Sequence, residues 1–330
     1  MQEVGGILLI GGAGFIGSHL AIQLRKQGYD VAVLDSLEVN HIGQLVSDFN
    51  NPKRKMYLGF LNERIELLKD NNIKFYNVDA RDYHSVSSVV NEFKPEVIIH
   101  LAAVAHANIS NKNPYSTFDH SLRTLENALD ASRGIVKQFI YFSSSMVYGT
   151  FQNEEVIESD ALHPLGVYGC LKVSGELMTL AYKQVFNIPY TIIRPSALYG
   201  ERCVSGRVVQ QFIENAIEGK SLKVMGGGED KLDFTYIDDL VQGVIAAIGN
   251  PKAYNQAFNI TYGSSRSLMD LAKLVREGFD VEIEYVKRDK LIPKRGTLNI
   301  SKARALLGYL PQYSIDDGVK KYINWYKERK

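Results

Sequence analysis

The sequence predicts an α/β protein built on a doubly wound parallel sheet, and three observations carry that prediction. Short apolar runs alternate with segments of helical periodicity through the first two thirds of the chain; a glycine triplet follows the first run; an acid closes the second. The strands are expected at Ile7–Ile10, Val31–Leu34, Ile73–Val78, Val97–Leu101, Gln138–Ser143 and Thr191–Arg194. Between them, one helical pattern carries Leu122, Leu125 and Leu129. Another sets Val173, Leu177, Leu180 and Ala181 on a single face. Residues 36–72 hold an insertion longer than an ordinary connection. After Arg194 the rhythm loosens into loops, including the glycine-rich turn Gly226–Asp230. The chain closes on a helix started by a capping-box pattern at Ser314 and Asp317, with Val319, Tyr322, Ile323 and Tyr326 as its apolar stripe.

Bulk numbers narrow the function classes. Lys plus Arg is 38 and Asp plus Glu 37, a net charge of +1, so there is no electrostatic reason to expect nucleic acid or an anionic membrane as partner. No apolar run approaches the roughly 20 residues that span a bilayer. The N-terminal run is punctuated by glycines and reads as a buried strand rather than a signal peptide. Cys170 and Cys203 are too few for a disulfide framework, and the seven histidines show no metal-ligand spacing. A cytoplasmic protein without a metal is expected.

In "ILLIGGAGFIGSHL", Gly11, Gly14 and Gly17 stand between a buried strand and an amphipathic helix. The first glycine permits the tight turn and the second lets backbone N–H groups approach a pyrophosphate. The third permits close helix–strand packing, and the helix N-terminus adds positive potential for the anion. Asp35, ending "VAVLDS", can accept hydrogen bonds from an adenosine ribose and would repel a 2′-phosphate. Neither Ser36 nor Leu37 offers such a phosphate a cation, so NAD is favoured over NADP. Asp79 ends the third run in the same way. These signals make the sheet Rossmann-type.

"YGCLK" puts Tyr168 and Lys172 four residues apart, on one helix face. A free phenol has a pKa of about 10, so about one molecule in a thousand is phenolate at pH 7. A neighbouring cation stabilises the phenolate and makes a general base for an alcohol proton. The serines of "YFSSSMVYG" stand just ahead, at a strand end; along an extended strand Ser143 and Ser145 point away from Ser144 and are expected to be satisfied by nearby backbone.

Together "GGAGFIGSHL", "HLAAVAH", "SSSMVYG", "YGCLK", "RPSALYG", "DFTYIDDL" and "LLGYLPQYSIDDGVKKYINWY" resemble, block by block and in order, the extended short-chain dehydrogenase/reductase family, in its nucleotide-sugar epimerase and dehydratase branch. The resemblance implies residues 1–194 as an NAD-binding domain, with a return near 233–261, and 195–330 as mostly a smaller substrate-binding domain. It implies Ser144, Tyr168 and Lys172 as the catalytic set, with Ser144 bonding the reacting oxygen. It places the cofactor on Gly11, Gly14, Phe15, Ile16, Gly17, Asp35, Ser36, Asp79, Ala80, Leu101, Ala102, Ala103, Tyr168, Lys172 and Pro195. Ser144, Arg202 and Arg295 would meet the substrate, a nucleotide diphosphate sugar. His106 would line the site, and His100 reads as structural. A homodimer is implied through the helix after the fourth strand and the one bearing Tyr168; for the stripe on the latter, core packing is an equal reading.

Within the family, 4,6-dehydratases carry Asp–Glu after the catalytic hydroxyl, decarboxylases a Glu at the second position, and C5 epimerases often a Cys there. This chain has Ser145 and Met146, and neither ionises usefully. What remains needs only a hydride and one proton: 4-epimerisation through a transient 4-keto sugar, with 4-dehydrogenation or 4-keto reduction as alternatives. A non-catalytic dinucleotide-binding regulator is the reading from another class. Departures are Ala197 where the family has Asn, Leu232 (with Lys231 before it) for an Arg, and His120 for a common Asn.

Overall fold

The computed structural model describes residues 5–39, 42–104, 107–289 and 291–329; His106 lies outside the described residues. Seven strands form the central sheet: β1 (Ile7–Ile10), β2 (Val31–Leu34), β3 (Lys74–Tyr76), β4 (Val97–His100), β5 (Gln138–Phe142), β6 (Tyr190–Arg194) and β7 (Gln256–Asn259). Their spatial order is β7-β6-β5-β4-β1-β2-β3, every pairing parallel, with Ile7 in register with Val31 on one side and Val97 on the other. The order reverses between β1 and β4. That switch point is where an open parallel sheet leaves a crevice at its carboxyl edge.

β1 and β2 are apolar throughout, and β4 up to His100, because both faces of the sheet are covered at its centre. Ile7, Leu9, Val31, Val33, Val97 and Ile99 enter one core, and Leu8, Ile10, Ala32, Leu34 and Ile98 enter the other. Helices α1 (Phe15–Lys26), α2 (Arg54–Asp70), α3 (Tyr83–Phe93), α4 (Thr124–Ala131) and α5 (Gly166–Phe186) follow in the chain. Asp82 caps α3 by accepting from the His84 and Ser85 amides. The expected stripe on α5 is divided: Leu177 is 61% exposed, Val173 and Leu180 are half-buried against apolar clusters, and Gly169, Lys172, Gly175, Glu176 and Thr179 form the buried face. Core packing accounts for Val173 and Leu180 and leaves Leu177 to solvent. The buried side is built from small and polar residues, which hydropathy does not flag.

Beyond β6, helices α6 (Val208–Ile217), α7 (Ile237–Ala247), α8 (Leu268–Arg276) and α9 (Ile315–Lys327) alternate with short strand pairs. Leu222–Met225 pairs with Ile283–Val286, and Lys231–Leu232 with Arg266–Ser267. Apolar residues of α6, α8 and α9 join the same core as one face of the sheet. Ser314 caps α9 by accepting from the Asp317 amide, and its hydroxyl donates to the Asp317 carboxylate at 2.6 Å instead of completing a reciprocal box.

The insertion is a strap. Phe60 of α2 packs on Trp325 and Tyr326 of α9 with ring centroids 4.8 and 5.9 Å apart. The buried Glu214 of α6 accepts from Lys53 (2.7 Å), Tyr57 (2.7 Å), Gln210 (2.8 Å) and Tyr326 (2.7 Å). The strap thereby joins the sheet's first half to its C-terminal partners.

Candidate active site

Two cavities open along the carboxyl edge of the sheet. The first, about 600 Å³, runs over the glycine loop and is lined by Gly11, Gly14, Phe15, Ile16, Gly17, Asp35, Ser36, Asp79, Ala80, Leu101, Ala102 and Ala103. The second, about 350 Å³, is lined by Ser144, Tyr168, Lys172, Pro195 and Arg295 among others. Ile16, Leu101, Ala103 and Arg207 line both, so the two meet there.

The three glycines play distinct parts. Gly11 has φ +82°, and a Cβ there would lie 2.6 Å from the Ala102 nitrogen. A Cβ on Gly17 would lie 2.5 Å from the Gly12 Cα, which fixes how closely α1 approaches the loop. Gly14 has an ordinary φ of −66°, caps α1 without a side-chain bond, and its Cβ would meet only the Gly11 carbonyl. It leaves the helix N-terminus open as an anion cradle. Gly12 also matters, since a Cβ there would strike Val33 at 2.8 Å.

Asp35 accepts from the Ala13 amide (3.0 Å) and the Leu37 amide (2.8 Å), tying the acid to the loop. Burial raises its pKa, and the two amides work against the shift. Each carboxylate oxygen keeps capacity for a ribose hydroxyl. Asp79 is engaged differently. It binds Arg81 through Nε at 3.0 Å and Nη2 at 2.6 Å, and the guanidinium holds its carboxyl below the usual range. Arg81 continues to Glu38 (2.5 Å) and His120 (3.2 Å), so His120 serves this cluster at the cavity wall.

Ser144, Tyr168 and Lys172 share one wall. Ser144 is extended (φ −164°, ψ 154°), and its Oγ accepts from the Met146 amide at 3.2 Å. Burial raises the Tyr168 phenol's pKa, while the neighbouring Ser144 hydroxyl and then Arg207 and Arg295 pull it down. The Lys172 ammonium lies 5.9 Å from the Tyr168 ring centre and donates to the Phe142 carbonyl at 2.6 Å. Burial lowers it to about 8, opposed by Glu176. Its hydrogen bond thus goes to the strand end, where a bond to the phenol could have been expected.

Two expectations about serines change. The Ser143 Oγ meets the Glu176 carboxylate at 2.5 Å, not nearby backbone. Ser145 begins a tight helical turn at the end of β5, so strand alternation stops there, and it lines the same cavity as Ser144. Arg295 enters the second cavity with its buried Nε unpartnered, lowered by burial to about 10. Arg202 lines neither cavity. Its guanidinium is held by Glu63 (3.1 Å) and His19 (3.2 Å), and its carbonyl accepts from the Arg64 Nε (3.1 Å). Arg202 is therefore corrected from a substrate contact to a part of the strap's anchorage.

Sequence reasoning missed Arg207, Lys223, Lys231 and Asn111, which line the second cavity. Arg207 left a signal: it is the N-cap of α6, where the helix dipole disfavours a cation. Lys231 stands in the sequence directly before Leu232. His100 is buried between Phe139 and Tyr141, and burial pushes it down to about 3. Among the described residues, no group of three or more His, Cys, Asp or Glu could hold a metal, and no helix is long and apolar enough to cross a membrane.

The model of the NAD dependent epimerase/dehydratase family matches residues 7–261. The chain belongs to that family. The epimerase/dehydratase family member is 32% identical to the protein of Bacillus subtilis described as uncharacterized UDP-glucose epimerase YtcB, over 96% of each chain. Its fold is similar to the UDP-glucuronic acid 4-epimerase of Bacillus cereus, solved with UDP-glucuronic acid and NAD (TM-score 0.87, 29% identity, 98% and 100% of the two chains). It is also similar to the UDP-glucose 4-epimerase of Thermotoga maritima, solved with UDP-glucose (TM-score 0.86, 28% identity, 98% and 99%). The family member uses NAD, and the residues fit it: the open helix N-terminus at Gly14 suits a pyrophosphate and Asp35 a ribose.

Proposed function

We propose that this protein is an NAD-dependent nucleotide-sugar 4-epimerase acting through a transient 4-keto sugar, with a UDP-sugar as substrate. The observation that carries the reading is that Ser144, Tyr168 and Lys172 line one cavity, with the Lys172 ammonium 5.9 Å from the Tyr168 ring centre, and that this cavity meets the one over the glycine loop at Ile16, Leu101, Ala103 and Arg207. Arg207, Lys223, Lys231 and Arg295 line the second cavity against Asp230, which Arg288 already holds at 2.7 Å. That surplus of cations suits a diphosphate, with Arg295 offering an unsatisfied Nε. The names of the solved relatives support uridine as the base.

In the reaction, Ser144 Oγ orients the sugar's C4 oxygen and Tyr168 Oη accepts its proton. The charge at Lys172 favours the phenolate. NAD, when bound, supplies hydride acceptance and return at C4. Between the two transfers the 4-keto sugar turns over within the cavity, and Tyr168 returns the proton. The walls at Ser145 and Met146 carry no carboxyl, so dehydration and decarboxylation lack the acid and base used by those relatives.

The wider assignments are part of the same proposal. Residues 1–194, with the return near 233–261, hold the cofactor, and most of 195–330 holds the substrate. The outward Leu177 of α5, with the exposed Tyr115 and Phe118 of the short helix Pro114–Phe118, supports a homodimer through these two helices.

The test incubates the native protein with UDP-glucose and UDP-glucuronate and reads ring stereochemistry by NMR. An isomer forming with no net change in NADH absorbance is expected. Net gain or loss of NADH would make the enzyme a 4-dehydrogenase or 4-ketoreductase instead. Tyr168→Phe is expected to lower kcat by about 10²- to 10⁴-fold, and undiminished turnover would end the reading.

A further inference from the structure

We propose that Glu176 is a positioning residue for this reaction: it fixes the strand ends that present Ser144 and Pro195 and supplies the negative charge that keeps Lys172 an ammonium. The inference rests on the function proposed above and assigns a role to a carboxylate outside the cavities.

Tyr168, Lys172 and Glu176 follow at four-residue intervals along α5, so they share a face. Glu176 is 4% exposed and is held from two sides. Ser143, the residue before Ser144, meets Oε1 at 2.5 Å. Arg194, the residue before Pro195, donates Nε to Oε1 at 3.0 Å and Nη2 to Oε2 at 2.7 Å. Arg194 also donates to the Tyr148 hydroxyl (2.9 Å) and the Glu158 carbonyl (3.0 Å), and Tyr148 donates to Asn259 at 2.8 Å. One carboxylate thus binds the ends of β5 and β6 to the helix bearing Tyr168 and Lys172.

A buried ion pair is a poor device for stability alone, because well-packed apolar residues do as well or better. Its placement fits a second task. The groups facing Lys172 are the Phe142 carbonyl, the Tyr141 and Tyr168 phenols, neutral His100 and Glu176. Around Glu176 stand Arg194, Tyr141, Tyr148 and Tyr190. Burial favours a neutral Lys172, and Glu176 is the charge that opposes it. Without that carboxylate the ammonium loses its proton at lower pH, and phenolate stabilisation goes with it.

The experiment compares pH profiles of kcat/KM for epimerisation of the UDP-sugar that the wild type turns over. Glu176→Gln alone strands Arg194 as a buried, uncompensated cation, so the variant is Glu176→Gln/Arg194→Met, with folding checked by circular dichroism. Its alkaline limb is expected to move about one pH unit lower, a loss of about tenfold at the alkaline end. Glu176→Asp, which keeps the charge, is expected to keep the wild-type limb. Ser143→Ala leaves the ion pair intact and is expected to lower kcat about threefold with KM unchanged. An unmoved limb in the folded double variant, or wild-type kcat in Ser143→Ala, overturns the proposal. Tyr168→Phe runs alongside: if it is inactive while the limb stays put, only the role of Glu176 falls, whereas an active Tyr168→Phe removes the reading beneath it.

Discussion

At the scale of the residue, the site is a set of charges out of water. Tyr168 is a poor base by itself, since burial raises its pKa and only Ser144, Arg207 and Arg295 pull it back. Lys172 has an ordinary pKa of 10.5 and is lowered by burial to about 8. Between those values the unfolded chain binds more protons than the folded one, so stability rises with pH across that window. Below pH 8 the penalty of the buried ammonium is fully present. Lys172→Met is expected to remove turnover and also this rise, which denaturant titrations at pH 7.5 and about 10 would read. A variant whose stability still climbed as in the wild type would place the titrating group elsewhere.

The element that decides cofactor binding is the turn from β1 into α1, and its glycines can be separated by substitution. Gly14→Ala keeps an allowed φ and meets only the Gly11 carbonyl, at 3.2 Å, so the fold should hold while the methyl intrudes on the pyrophosphate cradle. NAD affinity is expected to fall at least tenfold with little change in thermal midpoint. Gly17→Ala presses a methyl against the Gly12 backbone, at 2.5 Å, and is expected to destabilise by about 1–3 kcal/mol. Calorimetry on both variants, with NAD titrated separately, checks the pair. Equal losses of stability would show that Gly14 is packing, not cradle. On α5 the functional face is lined by Gly169, Lys172, Gly175 and Glu176, and Leu177 of its apolar stripe turns outward.

Across the whole molecule, the strap couples the cofactor side to the substrate side. Tyr57 lines the first cavity and donates to Glu214 of α6, the helix whose N-cap, Arg207, lines both cavities. Glu214 and Lys53 form a mostly buried pair at 2.7 Å, with side chains 2% and 18% exposed. Glu214→Ala leaves Lys53, Tyr57 and Tyr326 without their acceptor, a loss of roughly 3 kcal/mol. It is also expected to speed NAD release, because the wall holding Tyr57 loosens. Stopped-flow measurement of cofactor dissociation tests this, and a wild-type rate in a folded variant would confine the strap to a structural role.

Six of the seven sheet strands, the glycine loop, Asp35 and the Tyr168–Lys172 spacing were legible in the sequence, because each depends on neighbours a few residues away; the seventh strand, Gln256–Asn259, with Gln and Asn at its ends, was not. Strand hydropathy, a turn that needs positive φ at Gly11, and the four-residue helical repeat are local rules that survive without knowledge of the rest of the chain. Only the tertiary structure decided where long side chains from distant segments end. It sent Arg202 to Glu63 and His19, brought Arg207 and Arg295 to Tyr168, tied Asp79 to Arg81 and Ser143 to Glu176, and turned Leu177 outward. A buried charge takes whichever partner the packing leaves within a few ångströms, and spacing along the chain carries no record of that choice.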